Sequence, residues 1–192
     1  HFGEEGNLIV MGVKDSTIFT PKKFKAWNQL SKDIGKYNEV ELTLSIGNLQ
    51  KLEKKTDTTG FELVPFIKDS IFTDENLAEY KDELFNKLPF YDGLIYSPDK
   101  QSIRSAIYMK KDIVNTPARK DFVINDLIPL IKKFEKETGV TVYTSGMPYI
   151  RTLNSQSIID EIGLFIGAAL FVTSLIFFFF FVFLAFVNYV NF

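Results

Sequence analysis

Apolar positions along the chain follow two regimes: short periodic stretches up to residue 161, and a continuous apolar run beyond it. In the first regime, NLIVMGVK at 7–14 is apolar and β-branched enough for a buried strand. Thr20 and Pro21 then supply a helix cap with proline at the first helical position. In the following KKFKAWNQLSKDIGKY, Phe24, Trp27, Leu30 and Ile34 share one helical face opposite the lysines. VELTLSI at 40–46 alternates as a half-buried strand does, so the first unit reads β-α-β. KLEKKTDTTG at 51–60 is polar and aperiodic and predicts a surface loop. Thr73, Asp74 and Glu75 cap and charge the first turn of a helix to about Leu88, whose apolar face is Leu77, Tyr80, Leu84 and Leu88. GLIYSPDKQSIRSAIYMK at 93–110 predicts two strands joined by a turn at Pro98 and Asp99. A further helix covers about 119–138 and is closed by Gly139. Pro129 inside it costs about 3 kcal/mol in an ideal helix interior, which predicts a kink or a later start. VTVYTS at 140–145 is the closing strand.

The order is therefore β-α-β, a helix, then β-β-α-β. EVELTLSIGN at 39–48 and GVTVYTSGMP at 139–148 write the two closing strands in a similar pattern. The fold class is α+β, and two β-α-β units sharing one antiparallel sheet with helices on one face would be ferredoxin-like.

The second regime has a different solvent preference. Glu161 is the last charge, and from Ile162 to Val187 nearly every residue is Leu, Ile, Phe, Val, Ala or Gly, with Thr173 and Ser174 the only hydroxyls. About 26 residues at roughly 1.5 Å each exceed the ~30 Å hydrocarbon core of a bilayer, so the run can span it as a tilted helix. A buried helix of a soluble protein needs fewer apolar residues and keeps a polar stripe. The C-terminal position excludes a secretory signal peptide, and no polar spacer of a lipid-anchor signal precedes the run.

Where the regimes meet, Gly146 is free to take positive φ at the strand end and Pro148 cannot continue a ladder. Asn154 reads as an N-cap, with Ser155, Ser157, Asp160 and Glu161 in the opening turns of one helix into the membrane. The domains are expected at 1–153, an extracytoplasmic α+β domain, and 154–192, the transmembrane helix with a short lead-in. No Gly/Ser linker separates them, so the two are expected to move together.

Composition narrows the function classes. Net charge is −2 with mixed signs, which lacks the basic face of a nucleic-acid binder. No cysteine is present, hence no disulfide, thiolate nucleophile or Cys-based metal site, and the lone histidine is residue 1, which removes histidine triads and metal sites. The carboxylate pairs Glu4–Glu5, Asp74–Glu75 and Asp160–Glu161 are sequence neighbours, which do not converge on one substrate atom as acid and base must. Gly3 and Gly6 lack the Lys-Ser/Thr of a phosphate loop. Trp27 and the phenylalanines at 24, 61, 66, 85, 90 and 122 read as core. No enzyme activity and no cofactor are expected. Arg151 reads as an interfacial anchor or as a partner for Asp160 or Glu161.

The run SGMPYIRT at 145–152, followed by Asp160–Glu161 and a span, resembles the end of the first extracytoplasmic domain of resistance-nodulation-division (RND) transporters of the MMPL type. FGEEGNLIVMGV at 2–13 is similar to the start of that domain, and the resemblance covers about residues 2–180. Its motif residues are Gly146, Met147, Pro148, Tyr149, Arg151, Thr152, Asp160 and Glu161. The resemblance implies a porter domain plus the second transmembrane helix of a larger proton-driven efflux pump in a bacterial inner membrane, residues 1–160 being periplasmic. It implies hydrophobic, amphipathic or lipid substrates, a second porter domain elsewhere in the transporter, and compatibility with a homo-oligomer. Proton-relay carboxylates would lie on later spans. One departure is the uncharged FFFFFVFLAFVNYVNF, where the family has an arginine after the helix, so no positive-inside signal fixes orientation. The alternative function is a single-span, membrane-anchored binding or sensor module.

Overall fold

The computed structural model describes residues 5–54, 60–69 and 71–190. The chain divides into two compact units, His1–Thr152 and Leu153–Phe192. Unit 1 is α+β. Its elements are β1 (Leu8–Val13), α1 (Pro21–Ile34), β2 (Val40–Leu44), β3 (Gln50–Lys54), β4 (Phe61–Pro65), α2 (Asp74–Lys87), β5 (Ile103–Met109), α3 (Pro117–Asp121), a π-helical stretch Phe122–Leu127, α4 (Ile128–Thr138) and β6 (Val142–Ser145). A last helix, α5 (Met147–Val190), leaves unit 1 and makes up unit 2.

Four strands form one sheet in the order β2-β5-β1-β6, and every neighbouring pair is antiparallel. Both β1 and β2 run antiparallel to β5, so they point the same way across α1. The alternation of LIVMGV turns Ile9, Met11 and Val13 into the core, where none is more than 1% exposed. Against that face pack the apolar stripe of α1 and the buried side of α4, with the Trp27 and Phe134 rings edge to face at 5.6 Å between centroids. Burying side chains of this size stabilises by about 1.5–3 kcal/mol each, which makes this layer the main source of stability. One polar pair sits inside it: the Ser31 and Ser105 hydroxyls, both nearly fully buried, hydrogen-bond at 3.0 Å from α1 to β5.

Three sequence expectations are corrected. The segment read as a loop at 51–60 opens as strand over residues 51–54, because Gln50–Lys54 and Phe61–Pro65 pair as a hairpin; 55–59 lies outside the described residues. Its polar face is turned inward. Lys51 bonds Glu83 of α2 at 2.6 Å and Glu53 at 3.2 Å, while Leu52, Phe61 and Leu63 point outward at 63–68% exposure. Burial works against the Lys51 charge, but the two carboxylates outweigh it and hold the ammonium above its ordinary pKa. This inversion removed the usual apolar-in signature from the sequence and leaves Phe61 exposed, not core; Phe90, in the turn after α2, is exposed as well. The second correction concerns 93–110, where only β5 is a strand. Residues 92–97 form a turn carrying isolated bridges from Tyr96 to Asp92 and Ile103, and Arg104 Nη1 donates to the Gly93 carbonyl at 2.6 Å. The third is the helix expected over 119–138, which is three pieces. The proline is placed at the start of α4, after the wider π turn, so its missing N–H falls where the α-helical ladder has already been interrupted.

Other local signals act as the residues dictate. Thr73 and Asn76 form a reciprocal capping box that starts α2, with Asp74 and Glu75 exposed in its first turn. Gly139 ends α4 in the left-handed conformation, φ 70. Thr20 precedes α1, but its hydroxyl donates back to the Thr17 carbonyl instead of capping the helix.

Candidate functional site

Six of the eight residues singled out from sequence, Gly146, Met147, Pro148, Tyr149, Arg151 and Thr152, lie where β6 becomes α5, whereas Asp160 and Glu161 lie further along that helix in unit 2. Because β6 runs antiparallel to β1 with Ser145 opposite Val10, the next residue must cross the start of β1. Gly146 does so at φ 119, and a Cβ built there would lie 2.2 Å from the Leu8 carbonyl oxygen and 2.8 Å from Ile9 Cα. Only glycine fits both the dihedral and the space. The helix starts at once: Ile150 N–H donates to the Gly146 carbonyl at 3.0 Å. Asn154 is therefore not an N-cap, as the sequence suggests, but lies a full two turns inside α5. Pro148 sits in the first turn, where its absent N–H leaves no bond unmade, and it is buried.

Thr152 is fully buried, and its hydroxyl donates to the Pro148 carbonyl at 2.8 Å. It also accepts from Arg119 Nε of α3 at 3.3 Å, while Arg119 Nη1 donates to the Val114 carbonyl at 2.9 Å. Arg119 thus ties the start of α5 to the α3 region. Sequence reasoning gave it no role because its partners are 33 and 5 residues away and neither is charged. Tyr149 packs half-buried against the core; Met147, Ile150 and Arg151 are exposed. Among the described residues Arg151 makes no ion pair. Asp160 accepts from Gln156 of its own helix at 2.9 Å, and Glu161 is exposed.

Unit 2 is the remainder of α5. Over Met147–Phe186 this helix is long and apolar enough to cross a membrane, and Leu164, Phe171, Phe179 and Phe183 are among the many large side chains it leaves uncovered.

Two of the openings in unit 1 lie away from this junction. One, about 400 Å³, lies on the face of the sheet turned away from the helices, between Val10, Gly12, Arg104 and Tyr143. The other, about 310 Å³, lies beyond the end of β1. Its floor is Ile18, Phe19, Phe85 and Ile103, and Lys14, Lys81 and Lys100 stand round it. Among the described residues no group of three His, Asp or Glu side chains is placed to hold a metal ion; His1 and Glu4 lie outside them.

No protein-family model matches the chain, and no curated protein matches it as a relative.

Proposed function

We propose that this chain is the first porter domain and following transmembrane helix of a proton-driven RND transporter of the MMPL type, exporting hydrophobic or lipid-like substrates from a bacterial inner membrane. The observation that carries the reading is the junction: the last strand of an α+β sheet passes through one glycine into a helix that continues as an uncharged apolar run. A ferredoxin-like frame agrees with the strand order. Setting aside the β3–β4 hairpin and α2, two β-α-β units interleave, the first strand of one lying between both strands of the other. On this reading unit 1 is extracytoplasmic and contacts a second porter domain, and unit 2 crosses the bilayer.

The test has two readouts. The reading frame around the segment should encode an apolar span before it and several after it. Deleting the gene should raise retention of a hydrophobic fluorescent dye several-fold, and a protonophore should bring wild-type cells to the same level. Unchanged retention on deletion, or a frame without further spans, refutes the transporter reading.

A further inference from the structure

We propose that the 310 Å³ cavity beyond β1 is a binding site for an anionic amphiphile, a carboxylate or phosphate head on an apolar tail. The inference rests on the geometry of unit 1 and not on transport.

Three lysines reach the cavity from three separate elements. Lys14 follows the last residue of β1, Lys81 projects from α2, and Lys100 stands in the turn before β5. None of them makes an ion pair among the described residues. The nearby carboxylates are otherwise engaged. Asp15 accepts from the Thr17 hydroxyl at 2.6 Å and N–H at 2.7 Å and pairs with Lys23. Asp99 accepts from the Ser97 hydroxyl and from Gln101 N–H at 3.1 Å. Lys14 also helps hold the Asp99 carboxyl below its ordinary pKa, after the bonds from Ser97 and Gln101, so the charges partly offset one another. Three ammoniums against Asp15, itself shared with Lys23, still leave the mouth with an excess of positive charge.

Two of the three lysines are held in place. Lys100 has φ 56 and is the one non-glycine residue with positive φ among those described. Such a backbone persists only where its surroundings impose it. Here Lys100 N–H donates to the Ser97 carbonyl at 2.7 Å, Ser102 N–H donates to the Ser97 hydroxyl at 3.0 Å, and Lys100 Nζ donates to Asn86 at 2.7 Å. Lys81 Nζ lies 5.7 Å from the centroid of the Phe19 ring, a cation–π distance.

Below the charges the lining turns apolar. Ile18 and Ile103 are almost fully buried, and Phe19 and Phe85 meet edge to face at 5.8 Å. The volume lies at the lower end of small-ligand pockets and holds on the order of ten water-sized groups. A charged head can bridge the lysines while its first methylenes displace water from the rings. A cation is repelled, and a bare anion leaves the apolar floor wet.

The test uses the full chain in phosphatidylcholine nanodiscs, with equilibrium dialysis of decanoate, decyl phosphate, decyltrimethylammonium and inorganic phosphate against protein-free discs. Decanoate and decyl phosphate should bind saturably and at least tenfold more tightly than the other two, more weakly in high salt. The combined variant Lys14→Gln, Lys81→Gln, Lys100→Gln should lose about tenfold or more in affinity, with unchanged Trp27 emission showing that it is folded. Lys132→Gln, on exposed α4 surface outside the cavity, should bind as wild type. If phosphatidylglycerol in the disc competes, the head belongs to a membrane lipid; if it does not, to a free amphiphile, and both support the site. No saturable binding, equal binding of the cation or of bare phosphate, or undiminished binding by the triple variant overturns it.

Discussion

Gly146→Ala is the substitution that most directly tests how β6 hands over to α5. A non-glycine residue held at φ 119 carries about 1–3 kcal/mol of backbone strain. The added methyl would also sit 2.2 Å from Leu8 O and 2.8 Å from Ile9 Cα, where ordinary contacts begin near 3.4 Å. Both obstacles are backbone, so no rotamer change relieves them; β6 must move away from β1. Stretching even one or two ladder bonds between these strands costs about 0.5–1.5 kcal/mol each. The total, about 1.5–6 kcal/mol, is a large part of the 5–15 kcal/mol typical of a domain. Gly139→Ala is the internal comparison, because its φ of 70 is also positive but nothing lies within 4 Å of its would-be Cβ. It should cost only about 1–2 kcal/mol. Urea unfolding of the full chain in nonionic micelles, followed by the emission of Trp27, the single and fully buried tryptophan, reads both variants. If Gly146→Ala loses no more stability than Gly139→Ala, the close crossing of β1 is not what the glycine is there for.

Four other outcomes are expected. Ser31→Ala should cost about 1–3 kcal/mol by leaving the buried Ser105 hydroxyl unpaired, and the double change with Ser105→Ala should cost less than the sum of the singles in the same unfolding assay. Leu52→Lys, on the outward face of the hairpin, should shift stability by no more than about 0.5 kcal/mol, whereas Leu77→Ala in the core should lose about 2–5 kcal/mol by urea midpoint. Hydrogen bonds from the Thr17 hydroxyl and N–H, aided by Lys23, hold the Asp15 carboxyl below its ordinary pKa; that contribution is present above the unfolded pKa near ~3.9 and is lost as pH falls through the lower folded value. Asp15→Asn should therefore be less stable than wild type at pH 6, with the gap closing below about pH 4 in thermal melts. Leu175→Arg, near the middle of the apolar run, should lower insertion by about 2.5–3.5 kcal/mol and make the chain extractable by alkaline carbonate, while Leu175→Ala should stay in the membrane fraction.

Much of this was legible in the residues themselves. The apolar stripes of α1 and α2, the Thr73 cap, the strand alternation of β1 and the helix stop at Gly139 are local preferences that tertiary contacts merely use. So is the uncharged run after Glu161, whose preference for lipid depends on composition and length alone. Gly146 was also legible as a strand end, although not its reason, since Leu8 and Ile9 are far away in sequence. Tertiary structure decided the rest because the deciding contacts are non-local. The β3–β4 hairpin turns its leucines outward and Lys51 inward to Glu83 of α2, a non-local pairing that periodicity cannot report. Helix α5 could begin at Met147, ahead of the better capping residue Asn154, because the Gly146 carbonyl accepts its first bond, Pro148 has no N–H to satisfy, and Arg119 of α3 holds the buried Thr152 hydroxyl in place. Lys14, Lys81 and Lys100 are unremarked surface lysines in one dimension. Folding brings them round one apolar hole, since the end of β1, the middle of α2 and the turn before β5 meet at one corner of unit 1.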